Sequence, residues 1–226
     1  MKGWQELIEE TAEEKYDHFS FDFWSTIAFS NQQFKLERAK LLASFMSEEN
    51  AEHKINTAFS NIGKKYNQDM ETKGIIHNPE FLYRSVFKGL EICESKLDYF
   101  QQEVENLFRL HPPKISNGFL CFYKHITQFN STKSITSNTA FISGDIIMEI
   151  LDKNAPEIKF DFALFSDLSG CAKPSKEIYK IVKSKASALH IEQPEIQILH
   201  IGDNEFTDYE GAIKNGLNAV LIKIDN

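Results

Sequence analysis

The chain has 226 residues, of which 42% are hydrophobic and 26% charged, the mix of a packed globular protein long enough for one ordinary domain and a smaller inserted module. A formal net charge of −8 repels a phosphodiester backbone, so nucleic acid is not an expected partner, and a small phosphorylated ligand would need a metal or a local cluster of cations. No run approaches the roughly 20 apolar residues of a membrane span, the acidic start around Glu6, Glu9 and Glu10 is unlike a signal peptide, and Cys93, Cys121 and Cys171 make no disulfide framework. The expectation is a cytoplasmic chain with reduced thiols and no membrane contact.

In chain order, residues 3–15 read as a short amphipathic helix. Trp4, Leu7, Ile8 and Ala12 share one face, and Glu6, Glu9, Glu10, Glu13 and Glu14 lie on a solvated one. Residues 17–22 alternate and read as a strand ending at Asp22. From about 33 to 110 nearly everything reads as helix. Phe34, Leu41, Leu42 and Phe45 recur at helical spacing, Asn78-Pro79 is a helix start with Asn as N-cap, Phe81, Leu82, Val86, Phe87 and Leu90 continue that helix, and a further helix covers 95–110. This stretch resembles a small antiparallel bundle, and His111-Pro112-Pro113 stops it.

Beyond residue 114 strands and helices alternate. Strands are expected at 133–137, 160–165, 196–201 and 219–222, and helices at 139–152, 175–189 and 208–215, the last stopped by Gly216. Alternation of this kind implies a parallel sheet with helices on both faces, a Rossmann-like α/β core. The strand ending at Asp22 joins that sheet, so the helical segment is an insertion. The domains are then residues 1–30 with 112–226 as the α/β core, and 31–111 as the inserted bundle.

Ligands of open α/β sheets bind at the carboxyl ends of the strands, and polar residues gather there: Asp22 after the first strand, Ser137-Asn138 after the second, Lys173 after the third, and Gly202-Asp203 with Asp208 after the fourth. Each acid could be a mere helix cap or turn former, but several unneeded charges at one sheet edge would be costly. His200, inside a strand, reads as a packed or surface histidine, and Cys171 beside Lys173 lacks a His–Asp arrangement that would make it a nucleophile.

Asp22-Phe23-Trp24-Ser25-Thr26, Ile135-Thr136-Ser137-Asn138-Thr139, Gly170-Cys171-Ala172-Lys173-Pro174 and Gly202-Asp203-Asn204-Glu205-Phe206-Thr207-Asp208 fall in the order and spacing of four motifs. Together, over residues 17–222, they resemble the haloacid dehalogenase (HAD) superfamily, with the helical insertion similar to its cap domain. The resemblance implies a hydrolase whose Asp22 attacks phosphorus, with Mg²⁺ held by Asp22, Asp203 and the Trp24 backbone carbonyl. Lys173 would contact Asp22 and the phosphate, Asp208 would orient Lys173 or a metal-bound water, Thr26 and Ser137 would donate to the phosphoryl oxygens, and Asn138 is a further catalytic candidate. Mg²⁺ suits such a site because it favours oxygen ligands and shares them with phosphate and water.

Two residues depart from the family pattern. Ser25 stands where Gly is usual, which bears on turn geometry. Trp24 stands where the family's phosphatases carry a second Asp, the proton donor to the leaving alcohol, and indole cannot replace it. Three readings follow: a phosphatase of a small phosphorylated metabolite that favours good leaving groups or borrows an acid elsewhere, a 2-haloacid dehalogenase, whose halide needs no proton, and a ligand-binding protein of little catalytic power. The cap would close on hinges near 29–33 and 111–117 and choose the substrate. Its cations Arg38, Lys64, Lys65 and Arg84 are candidates for a second anionic group of the substrate, although such residues are more often solvated surface charges. A monomer or weak homodimer is expected.

Overall fold

The computed structural model describes residues 1–13, 15–47, 51–193 and 195–223; Glu14, placed above on the first helix, lies outside the described residues. Five strands form one parallel sheet: β1 (His18–Phe21), β4 (Thr132–Ser137), β5 (Phe162–Phe165), β6 (Ile198–Gly202) and β7 (Asn218–Leu221), in the order β5-β4-β1-β6-β7. β1 is central, with Phe21 level with Ile135 on one side and Ile201 on the other, so the chain reverses its winding direction there and opens a crevice at the strand ends.

Side chains alternate across β1, and its two faces differ in chemistry. Phe19 and Phe21 meet Phe122 and Phe119 of α6 (Asn117–Ile126), which also packs on Trp4 of α1 (Trp4–Glu10). The opposite face is polar and buried. His18 bonds Ser134 Oγ at 2.8 Å, and Ser20 bonds Thr136 at 2.9 Å and His200 at 3.0 Å, beneath α9 (Lys176–Leu189). Helix α1 is shorter than the expected 3–15, because Thr11 turns its hydroxyl back onto the Leu7 carbonyl at 2.7 Å and the helix ends. Helix α6 answers to no element in the sequence reading.

After β1 the chain makes a turn and a two-residue strand, β2 (Ala28–Phe29), before α2 (Gln32–Ala43), α3 (Ala51–Lys73), α4 (Pro79–Gly89) and α5 (Leu97–Leu110). Asn31 and Asn78 cap α2 and α4 through their side chains, with Pro79 in the first turn of α4. The four helices bury Phe34, Leu42, Ile55, Phe59, Val86, Phe87, Phe100 and Phe108 in a core continuous with that of the sheet. The chain returns through β3 (Lys114–Ile115), antiparallel to β2, and Asn31 Nδ2 donates to the Pro112 carbonyl at 3.2 Å across the same gap.

Helix α7 spans Gly144–Asn154, not 139–152, because residues 138–143 form a loop tied to Asp167. The Thr139 hydroxyl donates to one oxygen of Asp167 at 2.6 Å and the Gly144 N–H to the other at 3.1 Å. Asp167 sits in α8 (Ser166–Ser169), directly after β5. The expected helix 208–215 is a π-helical turn, Glu205–Glu210, followed by α10 (Gly211–Lys214). Among the described residues no helix is long and apolar enough to cross a membrane, and all three cysteines are free.

Candidate active site

Asp22 follows β1 and is buried apart from the side that faces a pocket, its N–H held by the Ile201 carbonyl at 2.9 Å. The turn after it is tight: the Ile27 and Ala28 N–H groups donate to the Phe23 carbonyl at 2.9 and 3.0 Å, and the Ser25 N–H to the Ala28 carbonyl at 2.9 Å. Ser25 sits in this turn at φ +60°, where glycine is at ease and a Cβ is crowded. That is the physical content of a serine at a glycine position. Among the described residues no backbone N–H donates to the Trp24 carbonyl, which leaves that acceptor free.

Ser137, at the end of β4, donates to Asp22 Oδ1 at 2.9 Å. Asn138 clasps the backbone of Lys173: its Nδ2 donates to the Lys173 carbonyl at 2.8 Å, and the Lys173 N–H donates to its Oδ1 at 2.9 Å. The lysine loop is thereby fixed to the end of the neighbouring strand. Lys173 Nζ, almost wholly buried, donates to Asp22 Oδ1 at 2.7 Å and to Asp208 Oδ1. The other Asp208 oxygen accepts the Asn204 N–H at 3.0 Å. Gly202 makes room for this carboxylate, since a Cβ there would lie 2.3 Å from Asp208 Cγ. The π turn at 205–210 carries Asp208 inward, and Tyr179 of α9 donates to the Thr207 carbonyl within it.

His200 is buried beneath, with Nε2 3.2 Å from Asp208 Oδ1 and Nδ1 3.0 Å from Ser20 Oγ. Burial keeps its ring neutral, so Nε2–H donates to Asp208 and Nδ1 accepts from Ser20. The packed histidine of the sequence reading thus also steadies Asp208. Thr26 differs from expectation. It is buried, does not line the pocket, and its Oγ1 has no partner, so it is not placed to serve a phosphoryl oxygen directly.

Asp22, Asp203 and Asp208 each offer a carboxylate oxygen within 4.8 Å of the others. One ammonium stands among them. Burial and the neighbouring acids push Asp22 up to about 7 and Asp203 up to about 6, against the pull of Lys173. Burial alone would raise Asp208 as well, but Lys173 and His200 hold it below the usual carboxylate range. Burial works against the charge on Lys173, and the two acids overcome it. The cluster therefore has a surplus of negative charge that a hard divalent cation would relieve. Oxygen-only donors at this spacing fit Mg²⁺, with Asp22 and Asp203 less engaged by protein donors than Asp208.

The cluster opens into a pocket of about 270 Å³. Trp24, Asn138 and Thr139 wall it on the sheet side, and Asn67, Met70 and Glu71 of α3 on the other. These three are one helical turn apart and share a flank of α3, and the sequence reading missed them. Burial, and then the charge of Asp208, raise the Glu71 carboxyl. None of the four cap cations lines this pocket. Lys64 and Lys65 are exposed, Arg84 pairs with Glu80 and Glu94, and Arg38 lies among aromatic rings. The Trp24 indole leans on Phe23 at 4.9 Å and on Phe108 of α5 at 6.2 Å.

No family model and no curated protein sequence matches the chain. Solved structures do. The proposed HAD-hydrolase YfnB from Bacillus subtilis, bound to magnesium, is similar with a TM-score of 0.66 and 18% identity, over 92% of this chain and 86% of that one. A 2-haloacid dehalogenase from Pseudomonas syringae pv. Tomato gives 0.61 and 16% over 91% and 86%. A HAD-family enzyme from Bacteroides thetaiotaomicron, in complex with magnesium and inorganic phosphate, gives 0.57 and 16% over 93% and 96%. The chain has the haloacid dehalogenase fold, a parallel α/β sheet with an inserted layer of helices.

Proposed function

We propose that this chain is a Mg²⁺-dependent phosphomonoester hydrolase acting on a small phosphorylated molecule, with Asp22 as nucleophile. One observation carries the reading: Lys173 bridges Asp22 and Asp208 at the carboxyl edge of the sheet, beside Asp203, in a pocket with surplus negative charge. Residues 1–30 and 112–226 form the hydrolase core in this reading, and 31–111 the cap. Magnesium in two of the similar structures, with inorganic phosphate beside it in one, supports it.

Asp22 Oδ2, left free by Ser137 and Lys173, attacks phosphorus while the bond to the leaving oxygen breaks. Ser137 and Lys173 hold Oδ1 and so fix the angle of attack. Water then hydrolyses the aspartyl-phosphate. Asp22, Asp203 and the Trp24 carbonyl would hold Mg²⁺, which when bound would neutralise phosphoryl charge. Asp208 keeps Lys173 in place, and Asn138 fixes its backbone. With Trp24 at the acid position, the departing oxygen receives no proton from that residue, which favours esters of acidic alcohols and phenols. The protein acts as a cytoplasmic monomer or weak homodimer, without a nucleic-acid or membrane partner.

A 2-haloacid dehalogenase is the second reading, favoured by the aromatic Trp24 and by the P. syringae likeness. Against it, a bare carboxylate displacing halide has no use for Asp203 and Asp208 at metal-ligand spacing. Mg²⁺-dependent hydrolysis of an aryl phosphate with an acid-labile phosphoryl group on Asp22 is the expected result, and Asp22→Asn lowers the rate on the order of 10³-fold or more. Metal-independent halide release from a 2-haloacid would replace this reading with the other.

A further inference from the structure

Arg38, on α2, is a cation without a carboxylate counter-ion among the described residues. Its guanidinium lies over the Phe59 ring at 3.7 Å, with the Phe34 and Phe141 rings at 5.3 and 5.7 Å. Arg84 and Arg109 each hold two glutamates. Among the described residues no carboxylate is paired with Arg38, and its Nε is buried with no hydrogen-bond partner. The polar neighbour is the Tyr83 phenol, which accepts a hydrogen bond from the guanidinium and donates to the Phe141 carbonyl at 2.8 Å. Stacking on rings offsets part of the cost of removing a guanidinium from water, but a buried unpaired donor and an unneutralised charge still destabilise the fold. Burial accordingly pulls the guanidinium pKa down.

Arg38 borders a second hollow of about 240 Å³, walled by Trp24, Phe34, Phe108 and Phe141. Trp24 and Ala140 line both this hollow and the nucleophile pocket, so the two adjoin across the indole. The second hollow offers aromatic and aliphatic walls with one guanidinium. It matches a ring bearing a carboxylate, which would supply the absent counter-ion through charge-assisted hydrogen bonds. Such a ring also suits the reaction, because a phenolate leaves without a protein acid.

We propose that the hollow beside Arg38 is the leaving-group subsite, and that the substrates are aryl phosphate monoesters whose ring carries an anionic group bound by Arg38. This rests on the phosphatase reading above. In the step, an Asp22 oxygen forms a bond to phosphorus and the P–O bond to the ring oxygen breaks. The electron pair leaves on the phenolate, which takes its proton from water. A second water then cleaves the acyl phosphate, restores the Asp22 carboxylate and releases inorganic phosphate.

The test compares 4-carboxyphenyl phosphate with phenyl phosphate in the presence of Mg²⁺. The wild-type protein is expected to favour the carboxylated ester in kcat/KM by about tenfold or more. Arg38→Gln is expected to cut that preference by about 10- to 100-fold, and Arg38→Lys to restore part of it. No preference in the wild type, or an equal loss on both esters in Arg38→Gln, overturns the proposal. Binding of 4-hydroxybenzoate, read against phenol by ligand-detected NMR and by the shift in melting temperature, needs neither turnover nor a variant. If neither ester is hydrolysed but 4-hydroxybenzoate binds wild-type protein and phenol does not, the phosphatase reading fails and the anion site stands. If 4-hydroxybenzoate does not bind, the anion site falls whatever the esters do.

Discussion

The two sides of the pocket use their polar groups differently. On the sheet side, Asp22, Lys173 and Asp208 are tied to one another and then to Ser137, Asn204 and His200, with His200 anchored in turn through Ser20 to Thr136. On the helical side, Glu71 lines the pocket and Arg38 the adjoining hollow, and neither has an ion-pair partner among the described residues. A network in which each group is held by the next is fixed before any ligand arrives, and little reorganisation remains for the reaction. The charges on the other side gain an ionic partner only when something binds. In the proposed reading, the difference separates a preset reaction centre from a surface that selects what reaches it.

The comparison can be sharpened by substitution, from the largest expected effect to the smallest. If Trp24 leaves the reaction centre without a proton donor, Trp24→Asp should speed hydrolysis of alkyl phosphates by about 10²-fold, within the range such groups supply, and aryl phosphates far less. A rate series across leaving groups of graded acidity measures this, and equal gains on both classes would mean that the indole was only an obstacle. Metal binding comes next. Asp22 and Asp203 are raised to about 7 and about 6, so below those values protons compete with the cation for the same oxygens. The rise in melting temperature caused by Mg²⁺ should therefore be small near pH 5, grow through pH 6 to 7, and level off by pH 8. A metal effect that weakens with rising pH would contradict the cluster.

Smaller effects follow on each side. Glu71→Gln removes a negative charge from a wall that faces an anionic substrate, and should lower KM for aryl phosphates about two- to fivefold, less at high salt. Ser25→Gly relieves a side chain held at φ +60°. It should stabilise the protein by about 0.5–1 kcal/mol in denaturant unfolding, the strain relieved being partly offset by the greater freedom of glycine in the unfolded chain. A loss of stability would mean that the serine side chain does something other than sit in the turn.

The sheet side was legible in the sequence because of topology. Asp22, Ser137, Lys173 and Asp203 lie at or beyond the carboxyl ends of strands, and a parallel sheet places such residues along one edge whatever their separation in the chain. The helical side was not. The buried residues of α3, Ile55, Phe59, Tyr66 and Met70, fix its packing face, but periodicity does not say which flank, here Asn67 and Glu71, turns toward the site. Helix α6 escaped notice for a related reason. Phe119, Phe122, Tyr123 and Ile126 do have helical spacing after the Ser116 cap, but Leu120 and Cys121 fill the gaps, so a short and mostly apolar segment shows little contrast between faces. A pair of two-residue strands, β2 and β3, has no period to detect. Thr26 was misplaced because its position in a motif says nothing of whether its hydroxyl reaches the pocket or the turn beneath it.

That two-residue pair has a further consequence. Ala28 faces Ile115 and Phe29 faces Lys114, so the chain departs from the sheet and rejoins it at neighbouring points. Seen from the sheet, the whole of α2 to α5 is the connecting loop of a β-hairpin. Closure entropy grows only slowly with loop length, so such a loop can be lengthened, shortened or exchanged while strand register stays as it is. Under the proposed function, a molecule built this way can acquire a different ligand preference by replacing one contiguous block of sequence, with the acid and lysine cluster left where it is.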